Sequence, residues 1–113
     1  MTDCLFCRII SGEIPSKKVY EDDHTYAFED INPQAPTHVL VIPKQHVRGL
    51  KEAHTEDAET IGRCHLVAAH IARERNIEDG YRTVLNIGPK AGQSVFHLHV
   101  HLLGGRRLGW PPG

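Results

Sequence analysis

The segment Phe96-His97-Leu98-His99-Val100-His101-Leu102-Leu103 constrains this chain more than any other. Histidines alternate with apolar residues at period two. A helix cannot hold that pattern on separate faces, whereas successive side chains of a β-strand point to opposite sides. A strand over Val95–Leu103 is expected to turn Phe96, Leu98, Val100 and Leu102 toward a core and to line the other face with His97, His99 and His101. Such a strand needs sheet neighbours, and the chain offers four. Lys17–Glu21 and His24–Glu29 form a hairpin around Asp22-Asp23. Thr37–Ile42 is a β-branched apolar run closed by Pro43, and Tyr81–Ile87 supplies the fourth. Between Glu29 and Thr37, Asn32-Pro33 and Ala35-Pro36 break the chain into a loop.

Two helices complete the expectation. Cys4–Ile10 forms a short one, ended by Ser11-Gly12 and Pro15. A longer helix starts from Thr55 as N-cap, has Glu56, Asp57 and Glu59 in its first turn, and carries Ile61, Cys64, Ala68 and Ile71 as a stripe up to Arg75. Gly80 marks its exit. Short connections and few helices point to an α+β fold with a five-stranded antiparallel sheet. With 113 residues, a single domain over 1–113 is expected.

Composition narrows the functional classes. The formal net charge of −1 provides no field that would gather nucleic acid or an acidic membrane. No apolar run approaches the roughly 18 residues that span a bilayer. Asp3 and two cysteines occupy the positions where a secretory signal would be charged and then apolar, so a cytoplasmic protein is expected. Three cysteines are an odd count for a disulfide framework. The outlier is nine histidines, which directs attention to metal or acid–base chemistry.

The histidine strand fits either chemistry. Histidines at i and i+2 can share a zinc ion, but His97 and His101 lie roughly 13–14 Å apart along a strand. Bonds of about 2 Å cannot gather all three without a bend, so at least one histidine is free for other work. A neutral imidazole, with an unperturbed pKa of about 6.5, is a competent nucleophile toward phosphorus. His99, flanked by the other two, is the candidate. Ahead of the strand, Ala91-Gly92-Gln93-Ser94 is either an ordinary β-turn or a run of backbone N–H groups that, with the Ser94 hydroxyl, holds phosphate oxygens. At the other end, Cys4-Leu5-Phe6-Cys7 puts two thiols on one helical face, half of a tetrahedral zinc site.

These residues resemble the histidine triad (HIT) family. The likeness rests on His97-Leu98-His99-Val100-His101-Leu102-Leu103, on Phe28 through His38, on Gly92-Gln93-Ser94, and on Trp110-Pro111-Pro112-Gly113. The last of these points to the Hint branch, the purine nucleoside phosphoramidases. The resemblance implies a half-barrel completed by homodimerisation, with AMP or GMP derivatives as substrates and no catalytic metal. It assigns His99 as nucleophile, forming a nucleotidyl-histidine that water hydrolyses. His101 and Ser94 assist at the phosphate and leaving group, and His38 sits beside His99. Asp30 binds the ribose, while Phe6, Ile9 and Ile31 enclose the base. Asn86, Gly92, Gln93 and Val95 belong to the phosphate loop, and Trp110 approaches the partner's site. For members with the cysteine pair it implies a structural zinc held by Cys4, Cys7, His46 and His97. Three other readings share these residues: a dinucleoside polyphosphate hydrolase, a nucleotide-binding interaction protein, and a hydrolase with catalytic zinc on the histidine strand.

Overall fold

The alternation within one strand sets the layering. In the computed structural model, which describes residues 3–113, the elements in chain order are α1 (Leu5–Ile10), β1 (Lys18–Glu21), β2 (Thr25–Glu29), β3 (Thr37–Pro43), α2 (Ala58–Glu74), β4 (Tyr81–Val84) and β5 (Val100–Gly104). Every residue of β3 is buried, because both faces of the sheet are covered at this strand. Val39 and Val41 pack toward α2. Leu40 and Ile42 pack toward α1, and His38 shares their parity.

The strands run in the order β1-β2-β3-β5-β4, and each neighbouring pair is antiparallel. On one face, Cys64, Val67, Ala68, Ile71 and Ala72 of α2 meet Ala27, Val39, Val41, Val100 and Leu102. The helix spacing i, i+3, i+4, i+7, i+8 is one apolar stripe. Each large apolar side chain taken from water there contributes roughly 1.5–3 kcal/mol. On the other face, Phe6 and Ile9 of α1 pack with Tyr26, Phe28, Leu40 and Ile42. The short helix covers only part of this face and leaves the rest as a cleft. The expected α+β class and its five strands and two helices are present.

Three boundaries differ from expectation by more than one residue. Thr55–Asp57 is a 3-10 turn and α2 begins at Ala58. The Asp57 carboxylate accepts the His54 N–H at 2.9 Å, so the turn closes one residue earlier than an N-cap at Thr55 would close it. Strand β4 stops at Val84, whose partner is His101. Strand β5 starts at Val100 rather than Val95, because β3 offers its last register partner to β5 at Val41. The N–H of Leu98 goes instead to the Val47 carbonyl at 2.7 Å. The Asp22-Asp23 turn is as expected: Asp22 Oδ1 accepts the N–H groups of His24 and Thr25, each at 2.8 Å. Among the described residues no helix is long and apolar enough to cross a membrane.

Candidate functional site

Strands β3 and β5 bring His38 and His101 together. The register pairs His38 with Leu103 and Leu40 with His101, so the two histidines are diagonal neighbours on one face. Their rings span the diagonal, with His38 Nε2 2.9 Å from His101 Nδ1. His99 sits just before β5 on the same face, its ring centroid 5.1 Å from that of His101 and 5.1 Å from Phe6. Phe96 departs from the expected core position. It is half-buried, and the Arg48 guanidinium lies 4.7 Å above its ring.

Hydrogen bonds set the tautomer of each ring, because a carbonyl can only accept and a backbone N–H can only donate. His99 Nδ1 lies 2.8 Å from the His97 carbonyl. It therefore carries the proton, and Nε2 keeps its lone pair. The Gln34 N–H donates to His38 Nδ1 at 3.0 Å, so neutral His38 holds its proton on Nε2. That proton serves His101 Nδ1, which leaves the His101 proton on Nε2. Asp30 Oδ2, 3.4 Å from His38 Nε2, supports the same arrangement. Burial keeps all three rings neutral at pH 7. It pushes His101 from 6.5 down to about 4, assisted by His99 and His38. His99 is also lowered by burial, against the pull of its bond to His97 and of Asp30. His38 is lowered by burial too, against Asp30 and Glu29. The site thus presents one unprotonated nitrogen on His99 and one N–H donor on His101.

Asp30 links these rings to a cleft of about 790 Å³, which none of them lines and whose lining includes Ile9, Phe28, Asp30, Ile31 and Pro36. Ile9 and Phe28 are buried at its floor, and Ile31 is 100% exposed at its rim. Asp30 Oδ1 accepts the Asn32 N–H at 2.8 Å, and its Oδ2 faces His38. Phe28 was not singled out from sequence. It sits edge-on to Phe6 at 5.4 Å, and its parity with Tyr26 on β2 is the signal that marks it.

Ser94 borders a different cleft, of about 520 Å³, together with Cys4, Leu5, His46, Arg48, Val95 and Phe96. The Gly92 turn ahead of it has φ +100, with Asn86 Nδ2 3.8 Å from where a Cβ would stand. The Gln93 side chain is buried. Trp110 is 83% exposed, and Arg82 donates to the neighbouring Gly109 carbonyl at 2.8 Å.

The fold also gathers Cys4, Cys7, His46 and His97, whose ligand atoms all lie within 4.8 Å of one another. His97 Nε2–H donates to the Pro43 carbonyl at 2.7 Å, so its Nδ1 is a free lone pair facing the cluster. Nδ1 lies 3.3 Å from Cys4 Sγ, 3.6 Å from Cys7 Sγ and 3.1 Å from His46 Nδ1. Bonds of about 2.0–2.3 Å in a tetrahedron place neighbouring ligand atoms roughly 3.3–3.8 Å apart, so the spacing fits zinc. The donor set fits as well. Burial and the Cys4 thiol push the Cys7 thiol above its ordinary value, and burial pushes His97 down to about 4. A cation here converts crowded thiols to thiolates and needs a neutral imidazole. Four ligands close the shell, as in structural zinc sites.

The HIT domain family model matches residues 11–108. The chain belongs to the HIT family. A HIT-like protein of Synechococcus elongatus is 53% identical over 111 residues, covering 98% of this chain and 97% of the relative. A maize protein named a 14 kDa zinc-binding protein is likewise 53% identical over 111 residues, covering 96% of this chain and 87% of its own length. The solved structure of a HIT family hydrolase from Legionella pneumophila superimposes with a TM-score of 0.95 at 46% identity, covering 97% of this chain and 99% of that one. The histidines of the HIT motif divide here: His97 turns to the metal cluster, while His99 and His101 stay together beside His38.

Proposed function

We propose that this HIT protein is a purine nucleoside phosphoramidase of the Hint type, which hydrolyses the P–N bond of adenosine or guanosine 5′-monophosphate amides. The observation that carries the proposal is the 2.8 Å bond from His99 Nδ1 to the His97 carbonyl. It presents Nε2 as the nucleophile and leaves the Nδ1 proton in place when the ring becomes cationic. In the first step, Nε2 bonds to phosphorus and the P–N bond to the amine breaks. The amine departs with a proton, since an amide anion is a very poor leaving group. Water then cleaves the bond between His99 and phosphorus, releasing the nucleoside monophosphate and restoring the neutral ring. His101 Nε2–H and Ser94 are assigned to the phosphate oxygens and the departing amine, and His38 fixes the His101 tautomer. Asp30 is assigned to the ribose hydroxyls, with Phe6, Ile9 and Ile31 around the base. Asn86 and Val95 are assigned to the phosphate loop, with Gly92 and Gln93 shaping its turn, since their N–H groups bond the Pro89 and Gly88 carbonyls.

Cys4, Cys7, His46 and His97 would hold a zinc ion, which would anchor α1 to the end of β3 and supply no step of the reaction. Leu66 on α2 and Trp110 are 71% and 83% exposed, which supports a homodimer in which Trp110 reaches the partner's site. One domain over residues 1–113 and a cytoplasmic location complete the proposal, the latter resting on the unpaired thiols of Cys4 and Cys7. Turnover of adenosine 5′-phosphoramidate against diadenosine polyphosphates tests the substrate class. A kcat/KM favouring the phosphoramidate by about a hundredfold or more is expected. Preference for the polyphosphate would overturn the assignment.

A further inference from the structure

The Gln93 carboxamide is buried and its hydrogen-bonding groups are engaged inside the protein. Its Oε1 accepts the Gly88 N–H at 2.9 Å, and its Nε2 donates to the carbonyls of Arg48 at 3.1 Å and Val95 at 3.3 Å. The Gln93 N–H returns to the Gly88 carbonyl at 3.1 Å. Both Nε2 protons are spent, so a ligand in the cleft has no carboxamide donor to meet.

Four consecutive residues tie the same region to the metal cluster. His46 is a cluster member. The Val47 carbonyl accepts the Leu98 N–H at 2.7 Å, one residue beyond His97. Arg48 offers its carbonyl to Gln93. Gly49 lies against the carboxamide: a Cβ there would stand 3.0 Å from Gln93 Nε2 and 3.3 Å from Glu52 Oε1. The Gly49 φ of 173 is extended backbone that any residue adopts, so closeness to Gln93, not conformation, favours glycine.

We infer that Gln93 is a positioning residue that couples the metal-bearing segment His46–Gly49 to the loop Gly88–Val95, and so makes the geometry of that loop depend on metal occupancy. The consequence for nucleotide affinity rests on the assignment of phosphate to this loop. The coupling between segments does not.

The test measures amide hydrogen exchange at Gly88 by NMR in zinc-loaded and metal-free protein, for wild type, Gln93→Met and Gly49→Ala. Zinc is expected to slow exchange at Gly88 about tenfold in wild type, the scale of one buried hydrogen bond. Gln93→Met keeps side-chain length without donors and is expected to lose the zinc response. Gly49→Ala keeps all hydrogen-bonding groups and crowds the carboxamide, so it is expected to weaken the response even if Gln93→Met does not fold. Exchange at Gly88 that ignores zinc in wild type, or responds equally in all three, overturns the coupling. AMP affinity in the same samples is expected to fall about five- to tenfold on zinc removal in wild type and to be zinc-independent in Gln93→Met. Exchange coupling in a wild type that binds no AMP supports the role of Gln93 and overturns the nucleotide assignment.

Discussion

Replacing His101 with asparagine should flatten the acid sensitivity of folding. Burial lowers His101 from 6.5 to about 4 in the native protein, while an unfolded chain binds the proton near pH 6.5. Above pH 6.5 neither state carries it, and the contribution to stability is complete. As the pH falls from 6.5 toward 4, the unfolded state takes up a proton that the native state refuses, and stability is lost over that window. A drop of this size is worth at most roughly 3 kcal/mol, because one unit corresponds to about 1.4 kcal/mol and the half-buried ring is partly screened. Asparagine does not titrate. Urea unfolding of metal-free wild type and His101→Asn at pH 7.5 and pH 4.5 measures the difference. Whatever the offset at pH 7.5, the variant should lose up to roughly 2 kcal/mol less than wild type on acidification. The remaining loss in the variant includes the other buried histidines, His38 among them, and carboxylates held low by their partners, such as Asp22. Parallel losses in the two proteins would refute the claim that burial keeps the native His101 ring neutral as the pH falls below 6.5.

Cys7→Ser should lower bound zinc from one equivalent per chain to well below it, and reduce the stability that zinc confers by a few kcal/mol, read by metal analysis and by melting with and without zinc. Gly92→Ala meets only Asn86 Nδ2 at 3.8 Å, but at φ +100 it should cost about 1–2 kcal/mol in urea unfolding and raise KM several-fold, since the strain is in the loop backbone. Asp30→Ala should weaken AMP binding about tenfold while its melting temperature stays within a few degrees of wild type, because the half-buried carboxylate makes few internal bonds and is assigned to the ribose.

Much of this architecture was legible because alternation is a local property. The period-two pattern placed Leu98, Val100 and Leu102 in the core, and all three are buried there. Where a strand ends is not local. Pairing of β5 depends on how far β3 runs, and β3 ends at Pro43, which has no N–H to offer. The chain before Val100 instead meets the segment after Pro43 through the Leu98 N–H and the Val47 carbonyl, and His97 serves the metal cluster. Strand β4 was overestimated for the same reason, since its partner begins only at Val100. The thiol half of the metal cluster was legible from Cys4-x-x-Cys7. His46 and His97, 39 residues from Cys7 and 93 from Cys4, came only through family resemblance, because no local rule links such separations. His38 illustrates a mixed case. Its burial followed from the apolar run around it, but its bond to His101 depends on the register of β3 against β5. The internal engagement of Gln93 left no mark in the sequence, for a Gly-Gln-Ser turn looks the same whether the amide points out or in.

The most direct test of the account is intact-protein mass spectrometry during turnover of adenosine 5′-phosphoramidate, with a denaturing quench at alkaline pH to preserve a phosphorus–nitrogen bond. Wild type should show a transient adduct of one adenylyl group per chain, and His99→Ala should show neither adduct nor turnover. Turnover that survives in His99→Ala would contradict the assignment of His99 as nucleophile.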